Sequence, residues 1–220
     1  MSHMLLFPGQ GAQAVGMGRE LAEGLDECRA LFSRAGDVLG FDVLKTCLEG
    51  PIEALTKSDV AQPAIFTVSV AARAALAHFA GGKFAVAGAA GHSLGEWAAL
   101  HEAGVVSFED ALRVLRARGQ FMQEACEATP GGMLTIIGLP LEKVQEVAKA
   151  SGLEVANLNS PVQTVLSGHA DRLAAGEAAA KAAGAKRALR LTVAGAFHSS
   201  LMQPAADKLA DFLQGVEFRA

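Results

Sequence analysis

The chain has 220 residues, 51% of them hydrophobic and 19% charged, with a mean hydropathy of +0.29; that content builds a sizeable core without disulfide staples and excludes a disordered chain. A formal charge of −4 and a pI near 5.9 argue against nucleic acid as the main partner, because phosphate binding wants a basic face. The longest apolar runs are interrupted by Gly, Ser, His or Arg within about a dozen residues, short of the roughly 20 that a membrane span requires, so no membrane partner is expected.

The opening Met-Ser-His-Met reads as a cloning remnant, with Met4 as the natural start. No basic, apolar and small-residue succession follows that would direct export, so a cytoplasmic location is expected. Met4–Phe7 form a short apolar run ending in Pro8-Gly9-Gln10-Gly11, a strand entering a glycine loop. Helical signals dominate residues 18–80. Leu25, Cys28, Leu31, Ala35, Val38 and Leu39 fall at helical spacing, and 60–79 is apolar nearly all round, as in a buried helix. Residues 84–88 read as a buried strand, followed by Gly91-His92-Ser93-Leu94-Gly95 and a helix to about Ala103. Ser107 with Asp110 three residues on is a capping box that opens a long helix to about Cys126. Cys28, Cys47 and Cys126 fit neither a disulfide framework nor a zinc pattern and read as buried apolar residues; no metal site is expected.

From Gly131 the rhythm changes. Strand, helix and strand are predicted over 133–138, 141–150 and 153–158, then strand, helix and strand over 163–167, 170–183 and 186–193. This β-α-β-β-α-β order is the split ferredoxin-like unit. It predicts an α/β fold with a small ferredoxin-like domain at 130–194, inserted in a larger α/β domain made of 1–129 and 195–220. Phe197-His198 and one more helix, 205–215, complete the chain.

Gly91-His92-Ser93-Leu94-Gly95 is a G-x-S-x-G between a predicted strand and a predicted helix. A serine on so sharp a turn needs a strained backbone, and flanking glycines remove side chains that would clash. The hydroxyl is then exposed at a helix N-terminus, where the dipole and free amides favour developing negative charge. Ser93 is therefore the candidate nucleophile, and it needs a base. His78 and His101 lie in helical segments, His92 is locked beside Ser93, and His169 follows a strand of the small unit. His198 stands where the chain re-enters the larger domain and is the best candidate of these.

Phe7-Pro8-Gly9-Gln10-Gly11-Ala12-Gln13, Gly91–Glu96, Arg118-Gly119 with Met122-Gln123, Asn157-x-Asn159-Ser160-Pro161 and Phe197-His198 occur in one order along the chain. Together they closely resemble the malonyl-CoA:acyl carrier protein transacylases of fatty acid synthesis. The resemblance runs the length of the chain and implies an α/β-hydrolase-like large domain interrupted by a ferredoxin-like one. It implies that Ser93 takes a malonyl group from coenzyme A as an ester, with His198 as general base. It places the backbone amide of Gln10, with that of Leu94, in the oxyanion hole, and Arg118 on the free carboxylate of malonate. A guanidinium fork suits that carboxylate, since it grips both oxygens and stays charged when buried. The partners so implied are malonyl-CoA and acyl carrier protein, with coenzyme A thioester as substrate and no cofactor.

An unpaired buried Arg118 would penalise an acetyl substrate, and Phe197 would crowd an α-methyl branch. Asn157 and Asn159 match an asparagine pair that either holds the small domain or contacts the pantetheine arm. Arg116, Lys186 and Arg187 are basic residues suited to an acidic carrier protein. Members of the family continue past the position matched by Ala220, through further strands and the group that orients the histidine, so the large domain is expected to lack its C-terminal part here. Several readings stay open: the same chemistry in polyketide synthesis or in a malonate decarboxylase, a truncated chain that binds but turns over poorly, and an α/β-hydrolase thioesterase. The last places an acid between serine and histidine, a stretch that is mostly the small domain here.

Overall fold

A computed structural model describes residues 2–219 apart from Gly82. The fold is α/β, and the chain divides into two compact units. One runs to Gln120 and resumes at Leu209; the other is Phe121–Lys208.

In the first unit, β1 (Ser2–Phe7) is followed by α1 (Arg19–Gly24), α2 (Asp26–Leu39), α3 (Val43–Glu49), α4 (Ile52–Thr56) and α5 (Ser58–Ala80). Then come β2 (Ala85–Gly91), α6 (Gly95–Glu102) and α7 (Phe108–Ala128). β1 and β2 pair in parallel, with Leu5 opposite Ala89 and Phe7 opposite Gly91. β1 starts at Ser2, ahead of the predicted Met4, because Ser2 and His3 pair with Ala85 and Val86 before an irregularity at His3/Met4. The helical stretch 18–80 is five helices, not one run. Gly40 ends α2 in a left-handed conformation (φ 74°), and Asp42 then caps α3 by accepting from the Lys45 amide at 2.8 Å.

By length and composition α5 is apolar enough to cross a bilayer. It serves instead as a core helix: Ala61, Ala64, Ile65, Phe66, Ala71 and Ala75 are buried, and the core they join also holds Phe32, Leu55, Leu94, Leu112 and Leu115. Its Arg73 is ion-paired with Glu102 of α6 at 2.9 Å. The expected capping box opens α7, with the Asp110 amide donating to Ser107 Oγ at 3.0 Å and that hydroxyl donating to Asp110 Oδ2 at 2.8 Å. Leu209, Leu213 and Val216 pack on the same core, and the Arg219 amide bonds the Val105 carbonyl at 2.9 Å.

The second unit takes in the end of α7, then β3 (Gly131–Ile137), α8 (Leu141–Ser151), β4 (Glu154–Ser160), β5 (Gln163–His169), α9 (Leu173–Ala182), β6 (Arg187–Arg190) and the start of α10 (Gln203–Leu213). The sheet is antiparallel in the order β4-β5-β3-β6, the ferredoxin-like arrangement. Leu134, Ile136 and Leu166 form a core with Val144 and Val147 of α8 and Leu173 and Ala180 of α9. Met133 and Val165 point to the other face and pack with Met122, Ala125 and Cys126 of α7, Phe197, and Ala205 of α10. β6 is shorter than the predicted 186–193: Arg187–Arg190 match Leu134–Ile137, and a last bond from the Leu191 amide to Met133 ends the pairing.

Candidate active site

β1 and β2 end side by side, so the loops that follow them emerge together at the carboxyl end of a parallel pair. The His92 amide donates to the Phe7 carbonyl at 3.0 Å and ties the two turns. Ser93 follows with φ 52°, a left-handed conformation unusual for a residue with a Cβ. The flanking glycines are sterically required. A Cβ on Gly91 would sit 1.9 Å from the Gly95 carbonyl carbon, and one on Gly95 would sit 2.5 Å from the Phe7 oxygen. α6 starts at once, its first bonds running from Gly95 to His92 at 2.9 Å and from Glu96 to Ser93 at 3.1 Å. Ser93 thus lies at the positive end of a helix. Among the described residues, neither the Gln10 nor the Leu94 amide is used in a backbone hydrogen bond, which leaves both available to an oxyanion.

The Gln10 side chain turns to the start of α5. It donates to the Thr56 carbonyl at 3.5 Å and accepts from the buried Ser58 hydroxyl at 3.3 Å.

Arg118 reaches the same place from α7. Its Nη2 donates to Ser93 Oγ at 3.0 Å and its Nη1 to Gln62 Oε1 at 2.6 Å. Among the described residues no carboxylate comes within ion-pair distance of this guanidinium. Burial pulls its pKa below the usual arginine value, and the field of Glu96 opposes that shift. The neighbouring arginines are engaged elsewhere. Arg113 pairs with Asp110 at 2.7 Å, and Arg116 donates to the Leu39 carbonyl at 3.0 Å while lying over the Phe41 ring. Arg116 is thus tied to the first unit while staying partly exposed, and Lys186 and Arg187 are exposed.

Gln62 is the residue that sequence reasoning missed. It is fully buried in a segment whose apolar neighbours make it read as core, and the only signal was an amide among Ala, Ile and Phe.

His198 belongs to the second unit and also has a left-handed backbone, φ 57°. Its ring is exposed in a turn whose neighbours Ala196 and Phe197 are buried. The turn is held on its far side, where the Ser199 hydroxyl donates to the Ala196 carbonyl at 2.7 Å and the Ser200 amide donates to the Glu154 carboxylate at 3.0 Å. Glu154, at the head of β4, had no visible reason in the sequence. Asn157 lies in β4 opposite Val165, and Asn159 is exposed at a β4 irregularity.

Two of the other histidines have partners in the first unit, and His169 is exposed at the end of β5. His78 contacts Glu27 at 3.3 Å, and His101 Nδ1 donates to the Val106 carbonyl at 3.0 Å. All three cysteines are buried, and burial with the nearby Asp42 pushes the Cys47 thiol up to about 12, which makes it a poor nucleophile. No metal-holding cluster of His, Cys, Asp and Glu occurs among the described residues.

Residues 4–218 match the acyl transferase domain family. The chain is 45% identical over 219 residues to the malonyl CoA-acyl carrier protein transacylase of Salmonella typhimurium, covering 98% of this chain and 70% of that protein. It is 42% identical to the Bacillus subtilis enzyme of the same name, covering 97% and 68%. Among solved structures, an acyl carrier protein S-malonyltransferase from Vibrio cholerae superposes with a TM-score of 0.93 at 40% identity, over 99% of this chain and 72% of that one. The malonyl-transacylase PlMCAT, solved with the type II PKS acyl-carrier protein AntF, superposes with a TM-score of 0.91 at 43% identity, over 100% and 72%.

Proposed function

The chain belongs to the acyl transferase domain family, with the malonyl-CoA acyl carrier protein transacylases as its relatives, and from that premise we propose how its own residues carry out the transfer. It moves the malonyl group of malonyl-CoA to the phosphopantetheine thiol of acyl carrier protein, in the cytoplasm. Ser93 Oγ attacks the thioester carbonyl and His198 takes its proton. The oxyanion is received by the Gln10 and Leu94 amides, each such donor being worth roughly 3–4 kcal/mol of barrier. The C–S bond breaks, coenzyme A leaves as a thiol with the proton from His198, and a malonyl-serine ester remains. The carrier's thiol then gives its proton to His198 and attacks the ester, and Ser93 leaves with that proton restored. Arg118 receives the free carboxylate throughout.

The observation that carries this reading is the placement of Arg118. A half-buried guanidinium, bonded to a glutamine oxygen and to the nucleophile itself, stands beside Ser93 with no carboxylate partner among the described residues. A neutral acyl group would leave that charge unanswered, whereas malonate supplies its anion. The left-handed backbones of Ser93 and His198 support the same assignment, since such strain gathers at functional sites.

Intact mass after brief mixing with malonyl-CoA, and separately with acetyl-CoA, tests it on the wild type and on Ser93→Ala. One malonyl adduct on the wild type alone, with little acetyl adduct, is expected. Equal labelling by both thioesters, or a malonyl adduct on Ser93→Ala, would overturn it.

A further inference from the structure

The question left by the site is what holds Arg118 in place. A guanidinium on a long flexible stem loses rotamer freedom when fixed, and a half-buried cation needs acceptors for its N–H groups. A carboxylate would be the strong acceptor, but it would also neutralise the charge and occupy the fork that malonate is to fill. Gln62 avoids both consequences. Its side chain is fully buried on α5, its Oε1 lies 2.6 Å from Arg118 Nη1, and it carries no charge.

The helix that presents Gln62 is itself fixed against Arg118. A Cβ on Gly119 would fall 2.5 Å from the Asp59 Cα and amide nitrogen and from the Ser58 carbonyl carbon, so α5 and α7 meet backbone to backbone beside Arg118. Gln62 lies one turn beyond Ser58, on the helix whose first residue also holds the Gln10 side chain.

We infer that Gln62 is a positioning residue for acyl selectivity: its neutral amide oxygen fixes the Arg118 guanidinium while leaving the charge uncommitted for the substrate's carboxylate. This rests on the proposed malonyl transfer. It separates two properties that an acidic residue would merge, orientation and charge. Gln62→Glu keeps the size and an acceptor but fills the ion-pair position. Gln62→Met keeps the volume and removes the acceptor.

The test is the rate of Ser93 acylation by malonyl-CoA and by acetyl-CoA against concentration in both variants, with thermal melts alongside. Gln62→Glu is expected to raise the malonyl-CoA KM about a hundredfold while acetyl-CoA changes less than about threefold, erasing the preference. Gln62→Met is expected to lower the malonyl preference about tenfold by loosening Arg118. Parallel losses toward both thioesters would mark a packing role, and an unchanged ratio in either variant would remove Gln62 from selectivity; both results overturn the inference. Calorimetric binding of malonyl-CoA and acetyl-CoA to Ser93→Ala, with and without Gln62→Glu, separates this from the transfer reading. A wild type that takes no malonyl group, while the Ser93→Ala chain still prefers malonyl-CoA in a Gln62-dependent way, would unseat the transfer and support the role of Gln62.

Discussion

Gly119→Ala is the sharpest test of the packing beneath the site, because elementary helix physics predicts the wrong sign. In an exposed helix interior, glycine to alanine stabilises by about 1 kcal/mol through backbone entropy. At Gly119 the new Cβ would lie 2.5 Å from three backbone atoms of Ser58 and Asp59, against about 3.4 Å for an ordinary contact. Either helix must retreat by about 0.9 Å, and no flexible side chain is there to give way. Overpacking a well-filled interior costs roughly 1–3 kcal/mol, and a backbone obstacle belongs in the upper half of that range. Subtracting the propensity gain leaves a net loss of about 1–2 kcal/mol, or a fall in Tm of about 2–8 °C for a chain of this size. The same retreat separates Arg118 from Gln62, so malonyl loading should fall roughly a hundredfold, as misplacements near 1 Å do, and acetyl loading less. Scanning calorimetry and rapid-quench acylation read the two effects. A Gly119→Ala variant that melts above the wild type and loads malonyl at the wild-type rate would refute the backbone contact.

Other perturbations have signs set by their surroundings. Ser167 is fully buried in β5, and its hydroxyl finds no partner among the described residues, so Ser167→Ala should stabilise by about 1 kcal/mol, visible as a higher denaturant midpoint. Leu134, fully buried beneath α9, should cost about 2–5 kcal/mol on truncation to alanine, read by the same titration. The Glu109 carboxyl is partly buried, which raises its pKa, but the hydrogen bonds and charge of Arg34 outweigh this and hold it below the ordinary 4.5. A depressed carboxylate stabilises above its unfolded pKa and loses that contribution as pH falls through the folded one. Melts of Glu109→Gln against the wild type should therefore differ at neutral pH and converge in acid below about 4.5.

What was legible in the sequence depended on how local the cause was. The Ser93 turn could be read because its requirements lie within five residues: two glycines that Gly91 and Gly95 supply, and a helix that begins at once. The ferredoxin-like unit could be read because its strands and helices announce themselves by period. The capping of α7 is likewise a matter of Ser107 and Asp110 alone. Illegible features depend on residues far apart. Ser58 holds Gln10 across 48 positions, Gln62 holds Arg118 across 56, and Glu154 holds Ser200 across 46. Each of these partners sits where another explanation was sufficient: a helix start, an apolar helix, a strand end. The length of β6 was equally invisible, since it is set by where β3 stops offering partners.

Ser93 and His198 are the non-glycine residues with positive φ among those described, and they come from different units and different chemistry. The likeness is physical. A left-handed residue costs roughly 1–2 kcal/mol, and it persists only where neighbouring bonds over-determine it. At Ser93 the surrounding bonds are the His92–Phe7 tie and the first turn of α6; at His198 they are the buried Ala196 and Phe197 before it and the Ser199 and Ser200 bonds after it. In both cases the flanking backbone is held on either side of the strained residue. Relaxing either φ by a substitution to glycine would remove the strain along with the side chain and say nothing about geometry. Breaking the clamp while keeping the residue is the informative change. Glu154→Gln leaves His198 intact and weakens the anchor two residues on. If the turn orients the base, acylation of Ser93 should slow by about tenfold with malonyl-CoA KM unchanged, because the loss falls on the transition state alone. A rise in KM without loss of kcat would place Glu154 in substrate binding and separate the strain at His198 from the proposed role of that residue as base.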